Sequence, residues 1–210
     1  MITKESNILL VLAQEPWKKF TFTEIKNLSK KKSKSYVAST LNKFIEESII
    51  NIESVSRIHL YSLNISSPRT RSIAGFVLEN EGWNNQHIPY KDINRIMQKI
   101  PTEDYVFIIT GSYAKNKQTK NSDVDVVIIV DDSFNTRKVY AELSHTCELN
   151  IPPIHLYVFN NSEFIEMLTN KEANYGKEIV KNNIILYGGQ IYLQLLEEAI
   201  QNGLTNKLVY

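Results

Sequence analysis

Two apolar segments of strand length lie close together in the middle of the chain, and each adjoins polar residues. The first, Tyr105–Thr110, consists of apolar and β-branched residues and runs directly into Gly111. The second, residues 126–130, follows the acids Asp123 and Asp125. Runs of this length and composition predict buried β-strands. Because glycine ends the first strand and two acids open the second, the pattern predicts a polar site where the strands meet.

The spacing of the two acids favours a divalent metal site. Side chains alternate between faces along a strand, so Asp123 and Asp125 point the same way, about 7 Å apart along the backbone. Carboxylate oxygens are the preferred ligands of hard cations, so we expect Mg²⁺ or Mn²⁺ here. The structural alternative is that both acids merely begin an exposed strand.

The residues around Gly111 have the composition of a phosphate-binding turn. Glycine lets backbone N–H groups approach a phosphate, Ser112 adds a hydroxyl, and a helix starting here would present free N–H groups to the anion. Lys115 and Ser122 flank the same site in sequence. A metal opposite these donors would hold a nucleoside triphosphate for in-line attack at its α-phosphorus. A solvated loop explains Lys115 equally well.

Together these motifs resemble a known signature. Gly111-Ser112-Tyr113-Ala114, followed by Ser122-Asp123-Val124-Asp125-Val126-Val127, is similar to the signature of the DNA polymerase beta-like nucleotidyltransferase superfamily. The resemblance covers roughly residues 85–200 and is closest to the small prokaryotic minimal nucleotidyltransferases and their antibiotic-modifying relatives. It implies a mixed sheet backed by helices, with Gly111 and Ser112 holding triphosphate and Asp123 and Asp125 serving as catalytic metal ligands.

The third acid that such a site usually contains is missing from the expected strand. The next strand candidate, residues 154–159, carries His155 where a carboxylate is expected. An imidazole can ligate a metal or act as a base, but it cannot replace the charge of a carboxylate. His155 is therefore a candidate catalytic residue or a structural histidine. Glu148 is an alternative source of the acid if the chain folds back.

The N-terminal third resembles a winged helix-turn-helix domain in the order and spacing of its elements. Helical patterns cover residues 3–13, 23–28 with Thr23 as N-cap, and a longer stretch from Ser35. Two short strands at residues 49–55 and 58–63 then form a hairpin. In the resemblance, the third helix is the recognition element and the hairpin is the wing.

The charge of this region is compatible with a nucleic-acid partner. Residues 1–68 hold 10 Lys and Arg against 6 Asp and Glu, whereas the remainder holds 14 against 17. We therefore expect contact with double-stranded DNA, although a surplus of this size also fits a solvated turn on a module that binds protein. The residues expected to face DNA are Lys34, Ser35, Ser39, Thr40, Lys43 and Arg57.

A short polar linker, Ser66-Ser67-Pro68, marks the predicted domain boundary. It divides the chain into a winged helix-turn-helix domain at 1–68 and a nucleotidyltransferase domain at 69–210, an α+β protein overall. In the second part, helical patterns cover residues 69–83, 90–100, 163–168, 176–181 and 190–201, with a strand at Ile184–Tyr187. Tyr175, Lys177 and Lys181 could reach the triphosphate or an acceptor, but they are interpreted as residues of a helix surface.

Composition excludes several classes of protein but does not identify the function. The chain is 42% hydrophobic and 22% charged, which is typical of a folded globular protein. No apolar run approaches the roughly 20 residues that cross a bilayer. The N-terminal segment lacks the apolar core of a secretory signal, so we expect a cytoplasmic protein without a membrane partner. The single Cys147 excludes an internal disulfide and favours a buried structural thiol.

Three functions remain open. The first is Mg²⁺-dependent transfer of a nucleoside monophosphate to an unknown acceptor, which could be a protein hydroxyl, a small molecule or an RNA end. The second is a nucleotide-binding transcriptional regulator whose degenerate site does not turn the nucleotide over. The third is a non-catalytic assembly module, and a homodimer is compatible with each. The intact pair Asp123 and Asp125 favours the first two functions.

Overall fold

The first six elements of the computed structural model form a small α+β unit. The structure describes residues 4–148 and 150–209, so the predicted helix start at Thr3 lies outside the described residues. The elements are α1 (Ser6–Gln14), β1 (Phe20–Thr21), α2 (Phe22–Leu28), α3 (Lys34–Glu46), β2 (Ile50–Val55) and β3 (Ile58–Leu63). The three strands pair antiparallel in the order β1-β3-β2, so the hairpin predicted from residues 49–63 is present.

The starts of α2 and α3 are fixed by side-chain caps. Thr21 forms a capping box with Glu24, in which each side chain accepts a hydrogen bond from the other residue's backbone N–H. The prediction of Thr23 as the N-cap is therefore wrong by two residues. Ser33 caps α3 by accepting from the Tyr36 N–H at 3.2 Å. Caps of this kind stabilise a helix by about 1 kcal/mol each.

The second part of the chain contains the larger sheet. Its elements are α4 (Pro68–Trp83), α5 (Tyr90–Met97), β4 (Tyr105–Thr110), α6 (Gly111–Ala114), β5 (Val124–Val130), α7 (Thr136–Glu148), β6 (Ile154–Asn160), α8 (Asn161–Thr169), α9 (Tyr175–Lys181), β7 (Ile184–Tyr187), α10 (Gly189–Gln201) and α11 (Asn206–Val209). The strands predicted at Tyr105–Thr110 and Ile184–Tyr187 are confirmed residue for residue.

The larger sheet is mixed, in agreement with the predicted α+β class. Its strand order is β6-β5-β4-β7. β4 pairs antiparallel with β5 and β7, whereas β5 and β6 are parallel. From Val126 to Val130, β5 is fully buried, because helices cover both faces of the sheet. Continuous apolar runs are expected for strands buried on two sides.

Helix α7 connects the two parallel strands and has no counterpart among the predicted elements. Val139, Leu143 and Cys147 recur at intervals of four residues and are all buried against one face of the sheet. Their spacing is the helical signal that identifies this segment. A helix here is also what parallel pairing requires, since a crossover connection must return the chain to the same end of the sheet.

One hydrophobic core joins the N-terminal unit to a face of the larger sheet. Side chains of α1, such as Leu12, belong to the same buried cluster as Ile108 of β4 and Leu196 of α10. An ion pair between Arg71 of α4 and Glu197 of α10 lies at the edge of this packing. The predicted domain boundary near Pro68 coincides with the start of α4. The division of the chain into two separate domains stays a prediction.

Within residues 4–148 and 150–209, no helix combines the length and the apolar character needed to span a bilayer.

Candidate nucleotide and metal site

The turn after β4 brings Gly111 against one of the two acids. The antiparallel register places Thr110 opposite Asp125, so Gly111 follows directly beside that carboxylate. Gly111 has φ +66°, in the left-handed region that favours glycine. A Cβ on Gly111 would lie 1.9 Å from Asp125 Oδ2. Glycine is therefore needed here both for the backbone conformation and for the space that the carboxylate occupies.

The parallel register of β5 and β6 places His155 directly beside Asp125. Nδ1 of His155 lies 3.6 Å from Oδ1 of Asp125, and Nε2 lies 3.4 Å from Oδ2 of Asp123. The two carboxylates thus converge on one imidazole. About half of the His155 side chain is exposed (56%), compared with 27% for Asp125, so the cluster is open to solvent on the β6 side.

The surroundings of Asp125 disfavour its negative charge. Burial raises the pKa of Asp125, and repulsion from Asp123 raises it further. The adjacent His155 lowers that pKa and so opposes the other two effects. Burial also raises the pKa of Tyr113, whose hydroxyl is repelled in its ionised form by Asp123. A bound cation would relieve the repulsion between the two carboxylates.

The donor set fits one divalent ion better than it fits a closed metal cage. Within the described residues, no group of three or more His, Cys, Asp and Glu side chains has a metal-binding arrangement. Asp123 and Asp125 nevertheless converge, and hard cations commonly take two carboxylates and complete their shell with phosphate and water oxygens. Glu148 ends α7 and lines a groove with His155, yet among the described residues the ion pairs of His155 are with Asp123 and Asp125 and not with Glu148.

The start of α6 is open to an anion. Thr110 occupies the N-cap position but its hydroxyl does not cap the helix, because it donates to the Asn182 carbonyl at 2.7 Å. The first N–H groups of a helix have no intrahelical partner, so a phosphate can accept from them. Ser112 lies in this turn and is partly exposed.

The two predicted flanking residues have other partners in this structure. Nζ of Lys115 lies 3.9 Å from Glu178 of α9. The hydroxyl of Ser122 accepts from the Thr119 N–H at 2.8 Å and holds the loop before β5. Ser122 thereby positions the segment that carries Asp123, whereas Lys115 must leave Glu178 to reach a phosphate.

Two tyrosines lie beside the site, Tyr157 on β6 and Tyr175 at the start of α9, and Tyr157 is not among the residues predicted to reach the nucleotide. Tyr157 shares a strand face with His155, and its ring lies 4.8 Å from that of Tyr175 between centroids. Burial raises the pKa of Tyr175, as do the nearby Tyr157 and Asp125. The period of two along the strand, which puts residues 155 and 157 on one face, is the signal that identifies Tyr157.

Lys177 does not belong to a helix surface. It is only 3% exposed, and its ammonium group donates to the carbonyl oxygens of Asn170 and Glu172, the second at 2.7 Å. The interpretation of Lys177 as a surface residue is therefore wrong. Its role is to satisfy the carbonyls that end α8.

Most of the residues expected to contact DNA lie on the exposed side of α3 or on the hairpin. Lys34, Ser35 and Ser39 are exposed, as is Arg57 in the turn between β2 and β3. The prediction that Thr40 contacts DNA is wrong, because only 2% of this residue is exposed. It lies three residues after Val37 and four before Phe44, on the buried face of α3.

Two further exposed residues of α3 are Lys43 and Asn42. Lys43 is exposed but engaged, since it donates to Glu5 at 2.8 Å. That hydrogen bond raises the pKa of Lys43. Asn42 is exposed on the same side and is absent from the predicted contacts. An exposed Asn is a common reader of adenine edges, so helical periodicity alone could have identified it.

A protein-family model matches the segment of the chain that carries these residues. A family described as "Nucleotidyltransferase domain" matches residues 91–187, the segment that contains β4, β5, β6 and their acids. One solved structure, described as "Crystal structure of the toxin-antitoxin with AMP-PNP", is similar at 13% identity and a TM-score of 0.37. The similarity covers 54% of this chain and 86% of that chain. No curated protein matches.

Proposed function

We propose that this protein binds a nucleoside triphosphate and transfers its nucleoside monophosphate to an acceptor hydroxyl, with the α–β phosphoanhydride bond broken and pyrophosphate released. The observation that carries the proposal is the contact between Gly111 and Asp125, which leaves no room for a Cβ. This contact brings a carboxylate beside the start of α6, whose N–H groups have no side-chain cap, and so supports a site for phosphate and metal together. The match of residues 91–187 to the nucleotidyltransferase domain supports the same reaction class.

In this proposal, one set of residues binds the phosphates and another set binds the metal ion. The N–H groups at the start of α6 and the hydroxyl of Ser112 bind the phosphates. Asp123 and Asp125 hold Mg²⁺ or Mn²⁺. The ion, when bound, neutralises charge on the phosphate oxygens during displacement. Lys115 contributes further positive charge once it exchanges Glu178 for a phosphate.

His155 is proposed as the residue that sets the rate. Its ring nitrogens face both acids at 3.4 and 3.6 Å. A neutral imidazole here accepts the proton of the attacking hydroxyl, whereas an imidazolium would neutralise the two acids and compete with a metal ion. The first case gives a slow transferase. The second case gives the alternative function, a regulator that binds nucleotide without turnover.

The N-terminal unit is proposed to bind double-stranded DNA. Its order of helix, strand, two helices and hairpin is typical of winged helix-turn-helix domains, and α3 would enter the major groove. The exposed Lys34, Ser35 and Ser39 support this placement, with Arg57 at the tip of the wing. Lys43 would contribute only after release from Glu5.

A transfer assay on variants of His155 tests the proposed reaction. Wild type, His155→Asp and His155→Ala are incubated with Mg²⁺ and labelled nucleoside triphosphate, and label transferred to the protein, to RNA or to small acceptors is quantified. Because a carboxylate at this position completes the acidic set, we expect His155→Asp to transfer faster than wild type. Abolished transfer in His155→Ala alone would make the histidine the base.

Absence of transfer by wild type and by His155→Asp, with nucleotide binding intact, would favour the regulator. Loss of nucleotide binding by wild type itself would contradict both functions. Asp123→Asn is the matched control, since it removes one metal-facing charge while it preserves side-chain size.

A further inference from the structure

A polar groove lies between the N-terminal unit and the turn that carries Gly111. It consists of two cavities of about 300 and 280 Å³. Gln14, Ala114 and Asn183 line both cavities, so the two are adjacent. Small-molecule sites usually occupy about 300–1,000 Å³, so the groove has the size of a ligand site.

The groove is adjacent to the phosphate-binding turn on the side away from His155. Ala114 ends the short helix α6 that begins at Gly111. The carbonyl of Asn182, a lining residue of the first cavity, accepts the hydroxyl hydrogen of Thr110 at 2.7 Å. Gly111 and Ala114 lie within one turn of α6, so a ligand held at the start of this helix is about 5 Å from the groove.

Amide side chains from three segments contribute to the wall of the groove, beside apolar residues. Gln14 comes from α1, Asn116 from the segment after α6, and Asn182 from the segment after α9. None of these three side chains makes a hydrogen bond to another residue in the part of the chain that the structure describes. Each amide offers a donor and an acceptor in one plane, the pattern that pairs with the edge of a nucleobase.

The charges around the groove exclude the triphosphate itself as its occupant. Glu15 lines the first cavity and Glu81 the second, while Lys181 is the basic residue on the first. Glu15 lies 3.5 Å from Lys18, and Lys181 lies 3.7 Å from Glu178. Two acids against one basic residue disfavour a polyanion, and the amides suit an uncharged polar group.

We propose that this groove binds the nucleobase and ribose of the nucleotide whose phosphates bind at Gly111. The inference rests on the proposed function, because it assigns the remaining part of the same ligand. Gln14, Asn116 and Asn182 read the base, so they determine which nucleotide is accepted. Since Gln14 belongs to the N-terminal unit, the bound nucleotide contacts both parts of the chain.

Two substitutions in the full chain separate base recognition from phosphate binding. Gln14→Ala and Asn182→Ala remove amides that carry no internal hydrogen bond, so the fold should be preserved. Calorimetry with Mg²⁺ measures the affinity for the four nucleoside triphosphates and for inorganic tripolyphosphate. We expect each variant to bind the preferred nucleotide about fivefold more weakly, the effect of one lost hydrogen bond, and to bind tripolyphosphate as wild type does.

Gln194→Ala is the matched control, because Gln194 is an exposed helical glutamine that lies outside the groove. Unchanged nucleotide affinity in both groove variants, with strong binding by wild type, overturns the groove while the proposed function stands. A selective loss in Tyr157→Ala alone would also overturn it, since the base would then stack beside His155. Failure of wild type to bind either nucleotide or tripolyphosphate overturns the proposed function and the groove together.

Discussion

Substitution of Gly111 by alanine separates the stability of the fold from the function of the site. The φ of +66° costs an L-residue about 1–2 kcal/mol, which for a chain of this size lowers Tm by about 2–8 °C. The new Cβ would lie 1.9 Å from Oδ2 of Asp125 and 2.9 Å from its Cγ. Because Oδ2 is the end of the Asp125 side chain, the carboxylate can rotate away at little further cost in stability.

The same rotation removes Asp125 from the position that the proposed metal site needs. A displacement of about 1 Å in such a group lowers reaction rates by roughly 100-fold. We therefore expect Gly111→Ala to remain folded by circular dichroism, to melt a few degrees lower, and to lose most Mg²⁺-dependent nucleotide binding and transfer.

Gly203→Ala is the control for the backbone effect alone. Gly203 also has a positive φ, +105°, but nothing lies within 4 Å of the position that a Cβ would take there. It should lose stability and keep nucleotide affinity. Nucleotide affinity within about twofold of wild type in folded Gly111→Ala would refute the reasoning, because Asp125 would then act without its place beside Gly111.

Three further predictions address the rest of the molecule. Lys177→Met should lower the free energy of unfolding in urea by about 1–3 kcal/mol, because two carbonyls lose their donor; a change below about 0.5 kcal/mol would contradict this role. Cys147 is 1% exposed and burial raises the pKa of its thiol from 9.0 to about 11, so iodoacetamide at pH 8 should label the native protein far more slowly than the protein in urea, and equal rates would be inconsistent. Lys34→Ala and Arg57→Ala should each weaken duplex DNA binding by the full chain and reduce its salt dependence by about one released counterion, measured by fluorescence anisotropy, whereas no binding by wild type at low salt would point to a protein partner.

The centre of the larger sheet is predictable because its signals are local. A continuous apolar run ending at glycine defines β4, and a second run after two acids defines β5. These two inferences do not need tertiary contacts. The resemblance implies that His155 lies on a strand next to the acids, whereas the parallel register that aligns it with Asp125 is a tertiary contact.

Other features depend on contacts that the pattern does not contain. Because Thr40 is polar, composition favours the exposed face for it, although its spacing from Val37 places it in the core. The burial of Lys177 depends on carbonyls at the end of another helix. The shared core of the N-terminal unit and the larger sheet arises from packing between distant segments, for which a single sequence provides no signal.

The pairing of Asp125 with a metal-bound nucleotide is the central claim, and calorimetry tests it most directly. Wild type and Asp125→Asn are titrated with nucleoside triphosphate, each with Mg²⁺ and with excess chelator. We expect wild type to bind in Mg²⁺ and to lose most of its affinity in chelator, while Asp125→Asn, still folded, binds weakly in both. Equal affinity of the two proteins in Mg²⁺, or wild-type binding that is indifferent to the chelator, would contradict the account.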